Sequence, residues 1–236
     1  MKLKKPKFWD YKKPNLFPYI LLPLAFIFQI LNTLKKLITS TKKYPEIKSI
    51  CIGNIYLGGT GKTSLSLKIN QILKNRKFKT CFIKKNYSNQ KDEQEILEDN
   101  AKLFKAQKRN DALIEAINEK YEYAIFDDGL QDISIIYDLN IVCFNSINLI
   151  GNGFTIPSGP LRDKLNILKK YNIVFINGNE ENLDFFKEII LKINPKINIF
   201  TGKYIPLNLD NFNKNDRYLV FSGIGNHQTF LSMLKS

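Results

Sequence analysis

Short apolar runs alternate with stretches of helical period along most of the chain. Runs at 47–52, 79–84, 123–126, 140–144, 172–176, 197–200 and 218–221 are rich in Ile, Val, Phe and Cys. Their length and composition are those of buried strands. Between them, residues 64–73 carry apolar side chains at Leu65, Ile69, Ile72 and Leu73, a helix period. Helical sequence also runs from the polar stretch after 86 to about 120, with a break near 108–110, and again over 164–170 and 181–193. A further helix is expected after 226. Strands alternating with helices predict an α/β fold with a parallel sheet flanked by helices. The pattern divides the chain into an N-terminal segment 1–45, a lobe 46–150, and a second, smaller α/β lobe 151–236 entered through a connection dense in Gly and Pro.

The strand at 47–52 runs into Gly53-Asn54-Ile55-Tyr56-Leu57-Gly58-Gly59-Thr60-Gly61-Lys62-Thr63 and then directly into the helix. Strand, glycine-rich turn and helix in this order form a phosphate-binding loop. Glycines let successive backbone N–H groups curl around phosphate oxygens, and the helix N-terminus adds its partial positive charge. Lys62 is expected to reach the β- and γ-phosphates, and the Thr63 hydroxyl to hold Mg²⁺. The common pattern G-x-x-x-x-G-K-[ST] places a glycine where Tyr56 stands. The sequence from Leu57 to Thr63 resembles instead the deviant loops of the partition-ATPase and dethiobiotin-synthetase branch, whose signature lysine falls at the place of Leu57. A chance glycine turn is the bland alternative, and the flanking strand and helix argue against it.

The run at 123–126 ends in Asp127-Asp128-Gly129-Leu130-Gln131. A carboxylate at the carboxyl end of a strand beside a phosphate loop is the arrangement that holds Mg²⁺ directly or through water. Ligand crevices of open α/β sheets lie at these strand ends, so both motifs open onto one place.

The chain has 236 residues, long enough to bury a core without covalent staples, and its composition excludes disordered and collagen-like classes. Three cysteines (Cys51, Cys81, Cys143), each in an apolar run, argue against a disulfide framework and for a reducing compartment. With one His and no C-x-x-C pair, a zinc site is not expected. The net charge of +14 points to phosphate-bearing partners. Most of it is local: residues 1–50 hold eleven lysines against Asp10 and Glu46, a surplus of nine. Between the lysine clusters lies an apolar, aromatic-rich run at 16–31, interrupted by Pro18 and Pro23. It is short for a spanning helix and lacks a signal-peptide cleavage site. An interfacial segment with lysines on anionic headgroups fits best, and a core-packed helix is the alternative. Charge gathered around an apolar segment, rather than on an aromatic stacking surface, argues against nucleic acid.

Taken together, these pieces resemble the tetraacyldisaccharide 4′-kinase family, the lipid A 4′-kinases of Gram-negative bacteria. The matching elements are Pro6-Lys7-Phe8-Trp9, Gly53-Asn54 with Gly58-Gly59-Thr60-Gly61-Lys62-Thr63, Asp92-Glu93, and Asp127-Asp128-Gly129-Leu130-Gln131. Gly151-Asn152-Gly153, Pro157-Ser158-Gly159-Pro160-Leu161-Arg162 and Phe221-Ser222-Gly223-Ile224-Gly225-Asn226 follow. The resemblance implies ATP- and Mg²⁺-dependent phosphorylation of the 4′-hydroxyl of an acylated disaccharide 1-phosphate. It also implies a membrane-docking N-terminus and work at the cytoplasmic face of the inner membrane. It places ATP on Gly58 to Thr63, with Tyr56 and Leu57 leading in, Mg²⁺ on Thr63 and Asp127, and the base for the 4′-hydroxyl at Asp92. Asp128, Gln131 and Arg162 become substrate contacts.

Three positions depart from the family pattern. Lys84-Lys85-Asn86-Tyr87 stands where the family has Ser-Arg-Gly-Tyr, and Asp132 where it commonly has His. The family's Asp-His element beyond residue 236 has no counterpart here, and His227 is not assigned its role. A membrane-associated P-loop ATPase and a C-terminally truncated, inactive family member therefore stay open as alternatives.

Overall fold

The computed structural model describes residues 5–11, 13–86, 91–205, 212–213, 216–221 and 230–231. Two helices open the chain, α1 (Leu16–Ile20) and α2 (Leu22–Ile38), preceded by a 3₁₀ turn over Lys7–Asp10. There follow β1 (Lys48–Gly53), α3 (Lys62–Asn75), β2 (Thr80–Lys85), α4 (Lys91–Glu98), β3 (Leu103–Ala106) and α5 (Arg109–Asn118). Then come β4 (Tyr123–Asp127), β5 (Leu139–Asn145), a 3₁₀ segment Leu165–Lys170, β6 (Ile173–Asn177), α6 (Asp184–Ile193) and β7 (Asn198–Gly202).

The seven strands form one sheet in the order β3-β2-β4-β1-β5-β6-β7, and every pairing is parallel. Alternate residues of each strand feed opposite faces. Ile50, Ile52, Phe82, Ile125, Ile141 and Cys143 pack with Leu65, Ile69 and Leu73 of α3 and Leu97 of α4. Cys51, Cys81, Phe126, Phe144, Val174 and Ile176 pack with Leu113 and Ala116 of α5 and Phe186 and Ile190 of α6. Burial on both faces explains why the strands read as continuous apolar runs rather than as alternating ones. The three cysteines are buried free thiols.

The strands expected in the lobe 46–150 are present, and β6 and β7, from the segment 151–236, extend the same sheet beyond β5. Two expectations need correction. The helical stretch read up to 120 is two helices separated by β3, a four-residue edge strand. Residues 218–221 form no strand and lie exposed; among the described residues Tyr218 packs edge-on against Phe212, ring centroids 5.3 Å apart. The elements quoted at 222–226, and His227, lie outside the described residues.

The N-terminal segment is tied down at both ends. Trp9 is buried, its Nε1 donates to Pro157 O at 3.0 Å, and Asn152 N donates to Trp9 O at 2.8 Å. Tyr44 and Ile47 join the core. Between them α2 leaves Leu24, Phe26, Ile27, Ile30, Leu31 and Leu34 exposed and buries only Ala25. Its 17 residues span about 25 Å, short of a hydrocarbon core of about 30 Å. Among the described residues no helix is long and apolar enough to cross a membrane.

Candidate active site

β1 ends at Gly53 and delivers the glycine-rich turn to the middle of the sheet's carboxyl edge, where its neighbours are β4 and β5. The turn is held from behind. Leu57 N donates to Pro160 O at 2.8 Å, and Arg162 N donates to Ile55 O at 2.7 Å. The Gly-Pro-rich connection is therefore the wall of the phosphate loop. Asn54 closes the turn from within, its Nδ2 donating to Gly58 O at 3.0 Å. Tyr56 is buried, and its hydroxyl is engaged by Asp10 at 2.5 Å and Lys5 at 2.7 Å. Its side chain is thus a strut to the N-terminal segment. Burial, then the adjoining Asp10 carboxylate, push its pKa far above the ordinary tyrosine value.

Gly61 caps α3 with φ 79°, a left-handed conformation that favours glycine. A Cβ there would meet Asn177 Nδ2, at the carboxyl end of β6, at 1.8 Å. Asn177 in turn donates to the Tyr204 hydroxyl at 2.6 Å. Thr60 is buried, and its hydroxyl has no hydrogen-bond partner among the described residues.

The two neighbouring aspartates point to different partners. Asp127, the last residue of β4, is fully buried. Its Oδ2 accepts from Lys84 Nζ at 2.8 Å and from Thr63 Oγ1 at 3.4 Å. Its Oδ1 is buried with no partner among the described residues. A buried carboxylate oxygen left open near a threonine hydroxyl at a helix N-terminus is a donor set that suits Mg²⁺. Asp128 turns the other way, with φ 61°. It lies 3.9 Å from Lys62 Nζ and accepts from Arg162 Nη1 at 3.1 Å. Burial pushes its pKa up, but the Lys62, Arg162 and Arg109 cations outweigh that and hold it below the usual carboxylate range.

Gln131 joins the same network, donating to Asn54 O at 2.7 Å and accepting from Arg162 Nη1 at 2.9 Å. Arg162, Asp128 and Gln131 also line a cavity of about 750 Å³, together with Lys35 of α2, Thr39 just after it, Lys85, Lys108, Arg109 and Asp132. Five of those side chains are cations and two, Asp128 and Asp132, are anions. The cavity therefore favours an anionic occupant, and α2 forms one of its walls.

Asp92 lies exposed in the first turn of α4. The structure gives it no direct contact with the loop, but its neighbour Glu93 accepts from Lys84 Nζ at 2.6 Å. An ion-paired chain therefore runs from the first turn of α4 through Lys84 to Asp127.

The sequence reading assigned no role to four residues of this site. Lys84 is the most telling: it is 1% exposed yet charged. The signal was a lysine closing an apolar strand next to the one bearing Asp127. Arg109 donates to Asp128 O at 2.7 Å and to Asp132 at 3.1 Å, so Asp132 is an ion-pair partner. Asn177 and Tyr204 come to the loop only through the sheet order, which no local motif announces.

A family model described as tetraacyldisaccharide-1-P 4′-kinase matches residues 17–106 and 92–236. A tetraacyldisaccharide 4′-kinase of Pelagibacter ubique is 60% identical over the whole chain, which covers 74% of that relative. One of Rickettsia canadensis is 34% identical, again over the whole chain and 75% of the relative. Among solved structures, an Aquifex aeolicus LpxK in complex with ATP superposes with a TM-score of 0.58 at 18% identity, covering 84% of this chain and 85% of the other. That likeness bears on the fold.

Proposed function

The chain belongs to the tetraacyldisaccharide 4′-kinase family, and on that footing we propose that the phosphate loop, Asp127 and Asp92 divide the reaction between them. The reaction is ATP-dependent phosphorylation of the 4′-hydroxyl of a lipid A precursor. The backbone from Gly58 to Gly61 and the N-terminus of α3 cradle the β- and γ-phosphates, with Tyr56 and Leu57 fixing the approach to the turn. Lys62 turns from Asp128 toward those phosphates. Thr63 and Asp127 would hold Mg²⁺ through the hydroxyl and the open Oδ1, and when bound the ion neutralises charge on the phosphates. The observation that carries this reading is the buried, unpartnered Oδ1 of Asp127, on a carboxylate whose other oxygen accepts from the loop's own threonine.

Asp92 takes the proton of the 4′-hydroxyl as its oxygen bonds to the γ-phosphorus. The bond from that phosphorus to the β–γ bridging oxygen breaks, and ADP leaves with the electron pair. The chemistry rests mainly on positioning and charge, so Asp92 needs no unusual basicity. Arg162, Gln131 and Asp128 border the basic cavity and contact the substrate's polar head. The wall supplied by α2 lets the acyl chains stay with the bilayer while the disaccharide reaches the loop. The exposed apolar side chains of α1 and α2, with the lysines around them, dock the enzyme on the cytoplasmic face of the inner membrane.

The test uses purified chain, ATP, Mg²⁺ and tetraacyldisaccharide 1-phosphate in detergent. A bisphosphorylated product that disappears with Lys62→Ala and with Asp92→Ala supports the assignment. ATP binding without product favours an inactive family member.

A further inference from the structure

Lys84 is the one lysine of the sheet whose side chain is 1% exposed and whose ammonium sits between two carboxylates. A buried ammonium is costly unless it is paired. Here the Asp127 carboxylate lies 2.8 Å from the ammonium and that of Glu93 2.6 Å away, so the charge is paired on both sides. The nucleotide does not require this charge, because the loop already carries Lys62. Its geometry is selective: Lys84 engages Oδ2 of Asp127 and leaves Oδ1 open. Its other bond reaches Glu93, in the first turn of α4 next to Asp92.

We propose that Lys84 is a positioning residue that reserves Oδ1 of Asp127 for a divalent cation and ties the turn bearing Asp92 to the metal side of the phosphate loop. This rests on the reading of Asp127 as the metal carboxylate. Two effects of opposite sign follow. A fixed positive charge beside Asp127 weakens cation binding, because like charges repel strongly where water is excluded. The tether to Glu93 holds Asp92 in register and raises turnover. The second effect is the discriminating one, because a buried ion pair that served stability alone would leave turnover unchanged in the folded protein.

The experiment compares the chain with its Lys84→Met, Glu93→Gln and Asp127→Asn variants. Mn²⁺ is the probe, titrated by electron paramagnetic resonance with a non-hydrolysable ATP analogue bound, and steady-state kinetics are measured alongside. Lys84→Met is expected to bind Mn²⁺ about tenfold tighter, with kcat reduced at least tenfold and KM for ATP nearly unchanged. Glu93→Gln, at a half-exposed site, keeps the ammonium and weakens the tether to a hydrogen bond with a neutral acceptor, so kcat falls while Mn²⁺ binding does not tighten. Unchanged or weaker Mn²⁺ binding in Lys84→Met overturns the proposal. So does wild-type kcat in Glu93→Gln, which decides the matter should Lys84→Met not fold. Wild-type Mn²⁺ affinity in Asp127→Asn overturns the assignment of Asp127 itself, a separate failure.

Discussion

Asn177 stands so close to Gly61 that its side-chain nitrogen occupies the space of the missing Cβ, 1.8 Å from where that atom would be. The sheet thus presses β6 onto the phosphate loop, and only a glycine can cap α3 there. Gly61→Ala is expected to combine left-handed strain with this clash. Stability should fall by about 1–3 kcal/mol, and ATP affinity by more than tenfold. Urea denaturation and calorimetric ATP titration read the two losses. A double variant with Asn177→Ala should recover part of the stability but not the strain.

Asp127→Asn removes the charge that balances a buried ammonium. Breaking one partner of a buried pair costs about 3–5 kcal/mol, so Tm should drop by several degrees or more. Activity should fall at least a hundredfold if the open oxygen binds metal, and added Mg²⁺ should no longer raise Tm in the presence of ATP. A variant that remained stable and Mg²⁺-responsive would contradict the site geometry.

Acid should loosen the corner around Asp128. Its pKa is held below the ordinary value near 4 by Lys62, Arg162 and Arg109, against the upward push of burial. The stability this contributes is present above the unfolded-state pKa and is lost as pH falls through the lower folded-state pKa. Denaturation midpoints measured from pH 6 downward should decline in that acidic window. Asp128→Asn, less stable at pH 6, should show a shallower decline.

Phe26 and Leu31 are 62% and 60% exposed on α2. Replacing both by Asp should leave Tm within a degree or two and reduce binding to anionic phospholipid vesicles at least tenfold. Sedimentation with vesicles of 30% anionic lipid checks this, and the remaining binding should weaken with added salt. Unchanged sedimentation would return α2 to an ordinary packing role.

The fold was legible where a motif and an apolar run coincide. β1 and β4 are buried on both faces beyond their first residues and end in glycine- and aspartate-rich turns, so each was marked twice over. β3 carried no such mark: Leu103-Phe104-Lys105-Ala106 is an edge strand with only its first half buried, set between two helices whose periodicity runs up to it. Lys84 was hidden for a different reason. A lysine after an apolar run reads as a strand leaving the core. Only the register of β2 on β4, in which Ile83 pairs with Phe126, shows that the next residues along are Lys84 and Asp127. Asn177 and Tyr204 likewise reach the loop through the sheet order. Residues 218–221 have strand composition but no neighbour strand among the described residues, and composition alone does not pair a strand.

The central place of β1 has a consequence for how the protein is made. Its partners β4 and β5 lie far downstream, with α3, β2, α4, β3 and α5 intervening before either is synthesised. The nascent chain must therefore emerge past β5, Pro160 and Arg162 and through β6 before the phosphate turn has its walls. Contacts so distant in sequence form slowly. Nucleotide added during refolding should accordingly speed only the final phase, because nothing able to grip it exists before then.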